Sequence, residues 1–150
     1  NANVDARPDD FRECAGYYSV NCSFTGSIQP KLQFSQRSTL TMGKVDLSLL
    51  WRWIDKVEFE PRQIEADGGD EESVLEEFRT IPSEHYFDLT SRFNATDNMT
   101  FTFTVQNLFD NKPKLVGNTI GSTTFNSGNV FPSTYDALGR RYAVSAKLKF

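Results

Sequence analysis

The chain has 150 residues, with 16 Lys+Arg against 20 Asp+Glu and a formal net charge of −4. That length holds one ordinary domain with a real core, and the mild acidity excludes a nonspecific nucleic-acid binder, which needs a basic field to neutralise phosphates. The single His argues against a metal centre or His-based acid–base chemistry. No apolar run approaches the roughly 18 residues of a transmembrane helix, although a transmembrane β-strand needs only about ten residues of alternating pattern.

Residues 1–27 are polar and turn-rich and read as a loop. They carry both cysteines, Cys14 and Cys22, in "ECAGYYSVNC". Two cysteines closing a short polar loop suggest a disulfide formed in an oxidising compartment, with a pair of free thiols as the alternative. The opening "NANVDARPDDFREC" has no apolar h-region, so it is no signal peptide and reads as the interior of a longer chain. The sequons at Asn21, Asn94 and Asn98 are short and carry no weight.

From 28 to 42 Leu32, Phe34, Leu40 and Met42 share one parity, and Lys31, Gln33, Ser35, Arg37, Thr39 and Thr41 share the other. A period of two predicts a strand with one apolar face. After a Gly43-Lys44 turn, Val45, Leu47, Leu49, Trp51, Trp53, Val57 and Phe59 predict a second strand over 45–59. Asp55 is the one break in its apolar set, and Pro61 ends it.

Residues 60–83 form a long connection. Seven acids (Glu65, Asp67, Asp70, Glu71, Glu72, Glu76 and Glu77) and no base lie between 65 and 77. The stretch "DEESVLEEF" fits a short helix capped by Asp70. The run lacks the D-x-[DN]-x-[DN]-G spacing of a calcium loop, so a solvated loop is the better reading.

A third strand is predicted over 84–94, with His85, Phe87, Leu89 and Phe93 on one face. A fourth, 99–109, has the cleanest alternation: Met99, Phe101, Phe103 and Val105 against Thr100, Thr102, Thr104 and Gln106. Residues 110–133 are rich in Gly, Asn, Ser and Thr, a second long loop. The last strand is predicted over 135–150 and sets Leu138, Tyr142, Val144, Ala146, Leu148 and Phe150 against Ala143, Ser145, Lys147 and Lys149.

Long loops at 60–83 and 110–133 thus alternate with tight turns at 43–44 and 95–98. That asymmetry is the pattern of outer-membrane barrels, with short turns at one rim and long loops at the other. A soluble sandwich would turn the same apolar faces into a core. The predicted strands exceed the usual five or six residues, and aromatics gather toward strand ends, as interfacial girdles require. Five strands cannot close such a barrel, and an open sheet in lipid would leave two unpaired edges. The expectation is a piece of a larger transmembrane antiparallel β-barrel, not closed alone.

Two stretches carry a family resemblance: "FTFTVQNLFDNKP" (Phe101 to Pro113) and "YDALGRRYAVSAKLKF" (Tyr135 to Phe150). They resemble the C-terminal end of TonB-dependent outer-membrane receptors. There "NLFD" marks the penultimate strand leaving the membrane and "YDxLGRRY…F" the closing strand. Upstream, "GSIQPKLQFSQRSTLTMGKVDLSLLWRW" looks like the paired strands before it, and the Cys14–Cys22 loop is similar to a disulfide-bearing outer loop of such receptors.

The resemblance implies an all-β barrel of about 22 strands around an N-terminal plug, of which this chain would supply the last five. It implies an outer-membrane location in a Gram-negative bacterium. It also implies active transport of a scarce large nutrient such as a ferric siderophore, cobalamin or an oligosaccharide. The implied partners are outer-membrane lipid, the rest of the barrel and its plug, the TonB complex through a segment outside these residues, the barrel assembly machinery and the nutrient. Phe150 matches the terminal aromatic that the assembly machinery reads. Tyr135, Asp136, Leu138, Gly139, Arg140, Arg141 and Tyr142 match the closing-strand motif.

Arg37, Arg52, Lys56, Arg92, Lys147 and Lys149 fall on polar strand faces, where ion pairing with Asp46, Asp88 and plug carboxylates outweighs a substrate-guiding role. At least one of Arg140 and Arg141 should face a wet interior, since Arg at mid-bilayer costs roughly 2–4 kcal/mol. Tyr17, Tyr18 and Phe24 are either ligand-contacting aromatics or loop packing. No catalytic, cofactor or metal residues are assigned and no enzyme is expected: G-x-S-x-G, H-E-x-x-H and phosphate-loop motifs do not occur. His85 and Asp88, three apart in a strand, point to opposite faces. The rivals are a soluble secreted β-sandwich that binds a ligand or carbohydrate, and a hydrolase on a small all-β scaffold.

Overall fold

The computed structural model describes residues 12–23, 26–117 and 129–150. Residues 1–11, Phe24, Thr25 and 118–128 lie outside them, and with them parts of the loops expected over 1–27 and 110–133. Among the described residues the fold is all-β with one short α-helix and two 3₁₀ turns, and the chain divides into two compact units.

The first unit takes Asn1–Gln33, Ile54–Glu84 and Pro113–Ala137. The disulfide Cys14–Cys22 forms, with Cα atoms 5.3 Å apart. The 1–27 segment is more than a loop. Within it β1 (Tyr17–Tyr18) pairs in parallel with β4 (Val57–Phe59), and β4 pairs antiparallel with β5 (Thr80–Ile81). Tyr18 lies at the centre of this unit's core. Its ring meets Phe59 edge-on at 5.5 Å and Phe131 at 6.3 Å, and its hydroxyl donates to the Phe78 carbonyl. Val57, Ile81, Val116 and Tyr135 are buried with it.

The strand predicted over 45–59 is two strands in different sheets. β3 (Val45–Ile54) stops where Asp55 breaks the alternation, and β4 begins at Val57. The Asp55 carboxylate accepts the Lys56 N–H at 2.8 Å, and the Asp55 N–H donates to the Leu32 carbonyl at 3.0 Å. Local side-chain bonding of this kind competes with a strand ladder.

Pro61 does not simply end a strand. It opens α1 (Pro61–Ala66), because the fixed φ and missing N–H of proline suit a first helical turn. The helix predicted over "DEESVLEEF" is instead two single 3₁₀ turns, Glu71–Ser73 and Glu76–Phe78. Asp70 and Ser73 explain the interruption: the Ser73 hydroxyl accepts the Asp70 N–H at 2.9 Å, and the Asp70 carboxylate accepts the Ser73 N–H at 3.1 Å.

The second unit takes Phe34–Trp53, His85–Lys112 and Leu138–Phe150. Its sheet has five strands in the order β2 (Gln33–Met42), β3, β6 (Glu84–Thr96), β7 (Met99–Gln106) and β8 (Arg141–Leu148). Gly43, at φ +58, makes the β2–β3 turn. β6 pairs antiparallel with β7 in the register Leu89↔Val105 to Asn94↔Thr100, and β7 with β8 from Met99↔Leu148 to Gln106↔Arg141. β2 and β8 are the two edges, and among the described residues nothing pairs with their outer sides.

Several strand limits differ from the pattern-based ones: β6 runs on past 94 to Thr96, and β8 stops at Leu148, short of the expected 150. The first strand starts at Gln33, not at 28. β7 ends at Gln106, because Asn107 and Asp110 take positive φ of 51 and 58 and turn the chain. Asn and Asp tolerate that conformation better than other residues with a Cβ. β8 starts at Arg141, so Tyr135, Asp136, Leu138, Gly139 and Arg140 form its approach rather than its first turn-length.

Candidate functional site

Residues directly opposite on paired strands share a face. The registers therefore put Leu89, Phe93, Phe101, Phe103, Val105, Tyr142, Val144, Ala146 and Leu148 on one side of the sheet. Ring contacts extend that side to β3 and β2. Trp51 lies 6.0 Å from Phe87 and 4.9 Å from Phe34, and Phe34 lies 5.4 Å from Trp53. One apolar face thus runs unbroken across all five strands.

This face is not a core. Val144 is 74% exposed, Tyr142 64% and Leu40 58%, and Met42, Phe93, Phe101, Phe103 and Leu148 are exposed as well. Among the described residues no second layer covers them. A contiguous apolar surface on this scale marks a site that meets lipid or another macromolecule.

The aromatic rings are grouped at the end of the sheet remote from the tight turns. Phe34, Trp51, Trp53, His85 and Phe87 form a connected band, continued by Phe109 at 5.4 Å from Phe87. His85 belongs to it: its ring is near-parallel to Trp51 at 5.8 Å, and the Trp51 indole N–H donates to its Nδ1 at 3.1 Å. Phe93 and Phe101 pair across strands near the opposite end.

The other face is polar. The Arg37 guanidinium and the Thr39 hydroxyl each donate to Ser48 at 3.1 Å, and the Thr41 hydroxyl donates to Asp46 at 2.8 Å. Thr90 and Thr104 bond at 3.3 Å, and Arg92 stands opposite Thr102. Arg52 lies over the Tyr86 ring at 5.3 Å and donates to Asp88 at 3.3 Å. Asp88 is thus on the polar face and His85 on the apolar one. Leu50 and Ile54 share the parity of the polar side of β3, and Ala143, opposite Thr104, is on it in β8.

The two quoted motifs meet in this unit. Asn107 is fully buried, and its N–H donates to Asp88 at 2.8 Å. Its amide exchanges two hydrogen bonds with the Asn111 backbone, both at 2.9 Å. The Asp110 carboxylate accepts the Arg140 N–H at 2.9 Å. Gly139 has φ +71, and a Cβ there would stand 2.7 Å from the same Asp110 oxygen. The Arg141 guanidinium donates to Gln106 at 3.0 Å at the start of β8.

The remaining motif residues separate. Tyr142 joins the apolar face, Leu138 and Phe150 are exposed, and Tyr135 is buried in the first unit. Tyr17 carries the Lys31 ammonium over its ring at 5.5 Å, whereas Tyr18 is core. Lys56 pairs with Glu58 at 2.7 Å in the first unit, which holds the Glu58 carboxyl below and the Lys56 ammonium above their ordinary pKa ranges.

Periodicity gave no notice of Glu60. It is buried, accepts from Ser19 Oγ at 2.5 Å and from Arg12 at 2.8 Å, and ties the disulfide loop to α1. Among the described residues no three His, Cys, Asp or Glu side chains converge as metal ligands would. No helix among them is long and apolar enough to cross a membrane, which says nothing of strands.

Compared with family models, with curated proteins and with solved structures, the chain has no significant match. The functional reading therefore rests on its own residues.

Proposed function

We propose that the second unit is wall of an outer-membrane β-barrel, and that the chain is the C-terminal portion of a TonB-dependent receptor, an active transporter for a scarce large nutrient such as a ferric siderophore, cobalamin or an oligosaccharide. The observation that carries the membrane part is the exposed apolar face continuous through five antiparallel strands, backed by a hydrogen-bonded polar face. In a barrel wall the first meets acyl chains and the second lines a wet interior.

The supporting chemistry is consistent. Strands of 10, 10, 13, 8 and 8 residues are near the roughly 9–11 that a tilted strand needs to span the hydrocarbon. The Trp51–His85 hydrogen bond is what an interfacial band favours, with ring bodies in apolar surroundings and polar atoms satisfied. In hydrocarbon the free edges of β2 and β8 would each leave backbone groups unpaired at a cost of several kcal/mol apiece. The reading therefore requires further strands beside both. The receptor part rests on the "NLFD" and "YDALGRRY…F" resemblance, on motifs that interlock through Asp110, Gly139 and Arg140.

Site-directed spin labels test the membrane part. Labels at 101, 103, 144 and 146 should be reached by oxygen dissolved in lipid, and labels at 102, 104, 145 and 147 by a water-soluble nickel chelate. Equal accessibility of the two sets would overturn it. For the receptor part, antibody against this chain should detect a considerably longer outer-membrane polypeptide whose gel mobility shifts on heating. Deleting the corresponding gene should abolish energised uptake of one such nutrient.

A further inference from the structure

The first unit holds a cavity of about 250 Å³. Val20, Phe59, Ile64 and Val74 line it with hydrocarbon, and Gln63 and Asp67 bring polar atoms to it. It is smaller than the roughly 300–1,000 Å³ of drug-sized sites, so its occupant is small. Val20, next to the disulfide cysteine Cys22, is 42% exposed although its side chain faces this apolar wall.

The polar atoms are not equivalent. Gln63 is engaged: its Oε1 accepts from Asn21 at 2.5 Å, and its Nε2 donates to Asp67 at 3.0 Å. Asp67 spends one oxygen on that bond and keeps further acceptor capacity. No Lys or Arg lines the cavity. Asp67 is the one charged residue of the lining. The Arg12 and Arg79 guanidiniums reach lining residues too, but each is spent on an acceptor, Gln63 Oε1 at 3.4 Å and the Val74 carbonyl at 2.9 Å. The charge that faces an occupant is therefore the Asp67 carboxylate, which favours a cation. Gly69 and Ser73 complete the wall; the Gly69 N–H bonds the Ile64 carbonyl at 3.0 Å and holds the segment in place after α1.

We propose that this cavity binds a small cationic amphiphile, a short aliphatic chain ending in an ammonium group. The chain lies against Val20, Phe59, Ile64 and Val74, and the ammonium meets the Asp67 carboxylate. The site belongs entirely to the first unit, so it does not depend on the membrane reading of the second.

The test uses the full chain, refolded in detergent micelles, with methyl NMR of Ile64 and Val74 as readout. The probes are pentylammonium, pentanol and pentanoate, three head groups on one chain length. Saturable shifts are expected with pentylammonium, with affinity about two- to five-fold above pentanol, the range of an exposed charge pair. Pentanoate should be weakest.

Asp67→Asn keeps an acceptor for Gln63 and should bring pentylammonium down to the pentanol level. Val74→Trp fills the cavity and should abolish the Ile64 shifts while the remaining spectrum persists. If that variant fails to fold, Val20→Phe serves the same purpose from the mouth. Equal affinity for all three probes, no saturable shift with any of them, or full binding by a folded cavity-filled variant would each overturn the proposal.

Discussion

Asp110 and Gly139, 29 positions apart, fit together so closely that the carboxylate of the first occupies the space a side chain on the second would need. The Asp110 oxygen accepts the N–H of the following residue, Arg140, at 2.9 Å and would lie 2.7 Å from a Cβ at 139. Both residues sit at positive φ, 58 and 71.

This clasp fixes where β8 begins, and Gly139→Ala should loosen it. The variant has to carry a side chain in the left-handed region and push the carboxylate away, together about 1–3 kcal/mol. Denaturant unfolding of the refolded chain should show the loss. Amide exchange should rise first at 141–144, the paired start of β8. Unchanged exchange there would show that strand pairing alone sets the register.

The two faces of β8 make opposite demands on the same substitution. If the apolar face meets lipid, Val144→Arg should cost about 2–4 kcal/mol near mid-bilayer. Ser145→Arg, one residue on and on the polar face, should cost far less. Folding efficiency into vesicles, read by heat-modifiable gel mobility, distinguishes them. Equal effects would contradict the assignment of faces.

The disulfide closes a loop between positions eight apart. Chain-entropy arguments put the stabilisation from a loop of that size at about 2–3 kcal/mol. The Cys14→Ser/Cys22→Ser variant should destabilise the first unit by that amount. Local exchange should then show Ser19 and Glu60 losing their order, since the Ser19 hydroxyl accepts the Asn21 and Cys22 N–H groups and donates to Glu60.

Tyr18 sets an alkaline limit. Burial pushes its phenol well above the usual range, because the phenolate would lose hydration in the core. A group whose folded pKa is raised stabilises fully below its unfolded value, near pH 10, and that contribution falls as pH rises toward the folded one. Thermal unfolding between pH 9 and 12 should therefore decline more steeply in the wild type than in Tyr18→Phe. The variant should also be about 1 kcal/mol weaker at neutral pH, having lost the bond to the Phe78 carbonyl. Parallel pH profiles would refute the assignment.

Alternation was enough to find every strand of the large sheet, because a period of two survives in residues such as Phe101, Phe103 and Val105 whatever covers them. It failed where single side chains bond their own backbone. Asp55 split one predicted strand, and the Asp70–Ser73 pair broke a predicted helix into turns. It also failed at Asn107 and Asp110, whose positive φ ended β7 early. Of the short sheet, β4 was read as strand through Val57 and Phe59 but joined to β3, and β1 and β5 were illegible, since strands of two residues carry no period. Of the site, the apolar face was readable in advance. The cavity was not, because Val20, Phe59, Ile64 and Val74 come from three separate stretches of chain.

Among the described residues β2 and β8 have bare outer rims, and this has a consequence for how such a chain is refolded. Each presents a row of backbone donors and acceptors that any other strand can satisfy, including the same strand of another molecule. Released alone at high concentration, copies would zip rim to rim into ladders, and the rate of that loss would climb with concentration. In the proposed barrel a neighbouring strand of the same polypeptide would arrive at a rate concentration does not change. Dilution or an escort that masks one rim therefore decides the race, and yield on refolding should improve with either.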